Sequence, residues 1–109
     1  MSIGELLDKI SILQIKAERI DDPSKVKNIN KELDVLMSLW NDSPYSDTNL
    51  SSEINELKNI NEALWDIEDK IRDKERNQVF DKDFIELARA VYITNDKRAY
   101  IKRLSLIHI

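Results

Sequence analysis

The sequence predicts an all-α fold, an antiparallel four-helix bundle, on three observations. One Gly and two Pro in 109 residues leave too few turn formers for a fold of many strands. Apolar residues recur in steps of three and four through four separate segments. Two of those segments open on a Ser or Asp with Glu three residues on, the pattern in which side chain and backbone cap each other at a helix start.

The first helix is expected over about 2–20. Ser2 and Glu5 form its capping box, and Ile3, Leu6, Ile10, Leu13, Ala17 and Ile20 make one stripe. "DDPS" ends it. Asp22 caps the second helix with Pro23 at its first position, and Val26, Ile29, Leu33, Leu36 and Trp40 carry the stripe over 23–40. So short a link makes these two antiparallel neighbours.

"NDSPYSDTNLSS" (41–52) is the longest loop, a crossover in preference to a lid. The third helix should run over 52–77 with Leu57, Ile60, Leu64, Ile67 and Ile71 inward. The fourth should run over 83–103, opened by Asp83 and Glu86, with Phe84, Ala88, Val91, Tyr92 and Ala99 on one face. Four such helices bury their stripes best together, as a single domain over 1–103.

The chain ends in "LSLIHI" (104–109), which follows no helical phase. One back-translation, CTG TCT CTT ATA CAC ATC, resembles the transposon-end adapter of sequencing libraries. These six residues are therefore set aside as a non-native tail that adds little stability, and the last helix is expected to continue natively beyond Arg103. His108, the only histidine, goes with the tail. Acid–base or metal chemistry would then rest on Asp, Glu, Lys and Tyr.

Composition bounds the function classes. With 21 acidic and 17 basic residues the net charge is −4, which gives no general attraction to nucleic acid. "KRAYIKR" (97–103) reads as a basic helix end favoured by the dipole. The absence of Cys removes disulfides, thiolate nucleophiles and zinc–sulfur sites. No export leader and no apolar run of about 20 residues is seen, so a cytoplasmic protein without a membrane span is expected. The richness in Ile, Lys and Asn suggests an AT-rich bacterial genome.

The most informative polar set lies on the last two helices. Asn61, Glu68 and Glu75 fall on or beside the third helix's stripe, and Arg72 follows Glu68 in the favoured ion-pair order. Asn95 is expected mid-face on the fourth helix, flanked by Arg89 and Asp96, with Tyr92 level with Glu68. A buried polar layer that fixes register is the plainer reading. The functional reading makes Glu68, Arg72, Arg89, Tyr92, Asn95 and Asp96 a pocket for an anionic or sugar-like ligand. On the first helix, Ile12 and Ile15 point away from the stripe amid Asp8, Lys16 and Arg19. An apolar pair on a polar face suggests a surface for a second copy or another protein, the plainer alternative being that neighbouring segments cover both faces of this helix.

Three blocks, "GELLDKISILQIKAERI" (4–20), "WDIEDKIRDKE" (65–75) and "FIELARAVYITNDKRAYIKR" (84–103), together resemble an uncharacterised bacterial helical family, a domain of unknown function. Some of its members sit near glycosyltransferase and surface-polysaccharide genes. The resemblance implies no catalytic residue and no cofactor. "ExxD" at Glu5 and Asp8 with "ExxE" at Glu53 and Glu56 resembles the helical nucleotide pyrophosphohydrolases, whose carboxylates hold Mg²⁺, but the order is reversed and the spacing does not fit. The start of the first helix resembles that of helical chorismate mutases, yet Pro23 stops it too early. The expectation is thus a non-enzymatic helical interaction module with no cofactor or metal. Its link to surface-glycan assembly comes from the resemblance alone. The alternative is a small all-α enzyme or ligand-binding protein using carboxylates, like the nucleotide pyrophosphohydrolases with Mg²⁺.

Overall fold

The computed structural model describes residues 2–47 and 49–107, without the side chains of 104–107. Four helices follow in order, α1 (Ile3–Arg19), α2 (Pro23–Asp42), α3 (Ser51–Arg76) and α4 (Lys82–Ile107). The all-α four-helix arrangement expected from the sequence is present, with boundaries shifted by a few residues at most ends. His108 and Ile109 lie outside the described residues, as do the side chains on which the tail expectation rests. The α4 backbone continues helical through Ile107.

The Asp22 cap forms as read, and of the Ser2–Glu5 box the Ser2 half forms. The Glu5 amide donates to Ser2 Oγ at 3.2 Å. The Ser24 amide donates to Asp22 Oδ1 at 3.0 Å, with Pro23 in the first turn. The α4 cap is Asp81, not Asp83: its Oδ1 accepts from the Phe84 amide at 3.0 Å, so the helix opens earlier than the Asp83–Glu86 box implied.

α1 is the centre of the molecule. Its stripe of Ile3, Leu6, Ile10 and Leu13 packs on Leu36 of α2, with Ile29, Leu33, Met37 and Trp40 alongside. Its Leu7 joins a second cluster with Leu57 of α3, Ile101 of α4 and Leu50. Leu50, directly before α3, is fully buried. Backbone packing joins α1 to each of the other three helices and α3 to α4, while α2 packs closely on α1 alone. The molecule is correspondingly flat, 49 × 35 × 19 Å.

α1 has 17 residues and α3 and α4 have 26 each, roughly 25 Å against 39 Å at the helical rise. The α3–α4 hairpin therefore outreaches α1. From Trp65 to Tyr100 no residue is fully buried, and beyond the α1 contacts of Trp65, Asp66 and Arg98 this stretch is a two-helix arm. At its turn the Val79 amide donates to the Lys74 carbonyl (2.8 Å) and the Gln78 amide to that of Glu75 (3.1 Å). These are the paired closing bonds of a Schellman end, with Gln78 in the left-handed region at φ 54°.

The phase of α4 differs from the sequence expectation. Phe84, Leu87, Val91, Thr94, Arg98 and Ile101 turn inward, whereas Ala88, Tyr92 and Ala99 are exposed. The inward side carries a Thr and an Arg, and apolar residues occur on the outer side as well. Periodicity alone therefore did not fix which side meets the core.

Candidate functional site

α1 has a second buried face. Gly4, Asp8, Ser11 and Ile15 follow one another in steps of four, three and four, and all are covered by the α3–α4 hairpin. This explains Ile12 and Ile15. They are not an exposed pair: Ile15 is 1% exposed and Ile12 half-buried, both beside Leu64 and Trp65 of α3. A helix apolar on two faces is an interior helix.

Asp8 sits on that face with only 3% of its surface exposed. Its Oδ1 accepts from Arg98 Nε (2.9 Å) and Asn61 Nδ2 (2.9 Å). Its Oδ2 accepts from Arg98 Nη2, and Lys102 Nζ stands 3.6 Å away. The same Asn61 amide donates to Ser11 Oγ at 2.7 Å, and Ser11 Oγ donates to the Asp8 carbonyl at 2.7 Å. One carboxylate thus joins three helices, and among the described residues no buried side-chain polar atom lacks a partner.

Burial, the strongest single influence on Asp8, pushes its carboxyl up. The Arg98 and Asn61 hydrogen bonds and the charges of Arg98 and Lys102 together outweigh it and hold the group below the usual carboxylate range. The Asp8 hydrogen bond in turn raises Arg98 above its ordinary value, with support from the charges of Asp8 and Glu68.

Beside this cluster lies a cleft of about 200 Å³ lined by Lys16, Asn61, Trp65, Glu68 and Arg98 among others. It is smaller than the roughly 300–1,000 Å³ of ordinary ligand pockets. Its chemistry is also muted. The donors of Arg98 that reach Asp8 are committed, and Ser11 Oγ is engaged as both donor and acceptor. A carboxylate held below its usual range is a weak general base near neutrality.

The ligand set expected from the sequence does not gather here. Glu68 lines the cleft but is exposed, and Asn95, also exposed, accepts from Arg98 Nη1 at 3.4 Å. The buried seam of Glu68 and Asn95 is therefore absent, and Asn61 is the buried member of the group. Arg72 pairs with Asp69 rather than Glu68. Arg89 and Tyr92 line a separate shallow groove on the outer side of α4 with Phe84, Ile85, Ala88 and Ile93, and Asp96 is exposed.

Nor do the four carboxylates of the Mg²⁺ resemblance converge. Asp8 faces Arg98, and among the described residues no three acidic or imidazole groups stand together as a metal site. The pair that sequence reading missed is Asp8 with Arg98. The available signal was Asp8 lying between Gly4, Ser11 and Ile15, where a charge on an interior face requires an opposite partner.

A family of unknown function, DUF6165, matches residues 1–108. The chain belongs to the DUF6165 family. No curated protein and no solved structure matches it. Membership agrees with the absence of an assigned activity in the sequence reading. Among the described residues of this DUF6165 chain, no helix is long and apolar enough to cross a membrane.

Proposed function

We propose that the chain is a non-enzymatic helical interaction module that works through the outer side of α4. One observation carries this reading. Ile85, Tyr92, Ile93 and Tyr100 are 58%, 71%, 48% and 56% exposed and follow one another along the side of α4 turned away from its buried face. Scattered exposed apolar residues are ordinary, but several large ones aligned on one helix face mark a contact surface. The engagement of Asp8, Ser11, Asn61 and Arg98 with one another supports the same reading, because the molecule's densest polar cluster is committed to holding α1, α3 and α4 together.

The test separates fold from surface. At dilutions where the chain is monomeric, replacing Ile85, Tyr92 and Ile93 together by polar residues should leave Tm nearly unchanged, since surface changes are usually small, each within about 0.5 kcal/mol. A large loss of Tm would assign the stripe to the core and overturn the reading. The carboxylate-enzyme alternative is tested by thermal shift with Mg²⁺ plus nucleotides and with sugar nucleotides. No rise is expected, and a rise that saturates with ligand would favour the alternative. The connection to surface-glycan assembly is an implication of the family resemblance and adds no support to this reading.

A further inference from the structure

The outer stripe of α4 has a symmetry that names its occupant. At 100° per residue, Ile85, Arg89, Tyr92, Ile93, Asp96 and Tyr100 all fall within an arc of about 100°. All six are exposed. Arg89 and Asp96 have no ion-pair partner among the described residues. Along the helix the order is apolar, cation, apolar pair, anion, apolar. The midpoint lies between Tyr92 and Ile93.

We propose that this stripe binds a second copy of the chain, α4 against α4 in antiparallel register about the Tyr92–Ile93 midpoint. This rests on the interaction-module reading and commits it to one partner. A twofold axis there brings Tyr92 against Ile93 of the second copy and Ile85 against its Tyr100. It also brings Arg89 against its Asp96, and by symmetry Asp96 against its Arg89. A twofold interface must be self-complementary, each patch meeting itself reversed. The sequence of this face satisfies that condition in both shape class and charge.

Neighbouring registers fail it. Moving the axis to Arg89 places that guanidinium against itself, and moving it to Asp96 does the same for the carboxylate. In the proposed register Lys82 meets Arg103 at the rim, a like-charged pairing where solvent screening weakens repulsion. The stripe spans about 22 Å of helix, roughly 15 residues at about 1.5 Å each. A contact of this size belongs at the small end of specific interfaces, so the dimer should dissociate on dilution.

Sedimentation equilibrium over a wide concentration range tests the proposal on the intact chain. The wild type should pass from monomer to dimer with rising concentration. Arg89→Asp and Asp96→Arg should each weaken the dimer by about tenfold or more, because each sets two like charges against one another. The double variant Arg89→Asp/Asp96→Arg should restore it. Circular dichroism melting must show all three variants folded as the wild type. A wild type that stays monomeric at the highest concentration overturns self-association, while the module reading is then judged by the Tm of the stripe variant. A dimer indifferent to both single swaps, or one not restored by the double variant, overturns this surface and register.

Discussion

Asp8 and Arg98, 90 residues apart in the chain, form a two-pronged ion pair that clamps α1 to α4. The carboxylate is buried and the guanidinium is partly open to solvent. Desolvating Asp8 is unfavourable by several kcal/mol, and the pair offsets this only while its partners are in place.

Arg98→Ala should accordingly be among the most damaging single changes. It leaves Asp8 with Asn61 and the longer ion pair to Lys102 at 3.6 Å, and breaking such a pair typically loses about 3 kcal/mol or more. Replacing Asp8, Asn61 and Arg98 together by apolar residues of similar size should be far milder, near neutral. Urea unfolding of both proteins checks this. Equal destabilisation of the two would mean that the cluster's net contribution is large and favourable.

The pH dependence follows from the lowered Asp8 pKa. A depressed carboxyl adds stability that is fully present above its unfolded value, near the ordinary 3.8, and is lost as pH falls through the folded value. Asp22, Asp66 and Asp81 are lowered too, by their own hydrogen bonds, and act in the same window. The Asp8 part is isolated by difference. The stability gap between wild type and Asp8→Asn should be constant from about pH 7 to about 5 and shrink below about 4. A gap that widens on acidification would mean that Asp8 is raised, not lowered.

Helix number, order and most caps were legible because they depend on local chemistry. Ser2, Asp22 and Pro23 act within one turn of themselves, and the α1 and α2 stripes have one apolar side that dominates. The phase of α4 was not legible, because Tyr92, Ile93 and Tyr100 compete with Leu87, Val91 and Ile101 for the inward position. Only packing against α1 and α3 decides between them. Asn95 inherited that error of phase, whereas Glu68 stands at the edge of a correctly placed α3 stripe and is exposed. Asp8 was in view as a member of an acidic motif, but its burial depended on the two-sided covering of α1. The apolar pair Ile12 and Ile15 signalled that covering, yet the same pattern is what a docking surface would show.

Gly4 is buried where α1 meets α4. A Cβ added there would lie 2.7 Å from the Lys102 carbonyl oxygen and 3.3 Å from its Cα. The obstruction is backbone, so no side-chain rotation relieves it, and the helices must separate. Gly4→Ala would raise intrinsic helix propensity by about 1 kcal/mol. The overpacking, typically about 1–3 kcal/mol, opposes it and also pulls Arg98 and Lys102 away from Asp8. A net loss of stability is expected by urea midpoint, with Ala at exposed Lys9 of the same helix as the neutral comparison. A gain at Gly4 would show that α1 and α4 are not held at this separation.

Gln78 gives the opposite sign. It ends α3 at φ 54°, a conformation that places an L side chain's Cβ too close to the following carbonyl and is unfavourable by about 1 kcal/mol. Its side chain is exposed, so nothing is lost in packing if it is removed. The hydrogen bond its N–H donates to the Glu75 carbonyl, which closes the helix, is kept by any residue with an N–H. Gln78→Gly should therefore stabilise the protein by roughly 0.5–1 kcal/mol, even though Gly is unfavourable in most other positions. Gln78→Val should destabilise it, because a β-branched side chain fits the left-handed region worst. The pair of variants makes the reading falsifiable by thermal melting. If Gly lowers Tm and Val leaves it unchanged, residue 78 does not hold a left-handed conformation and the arm closes by another turn.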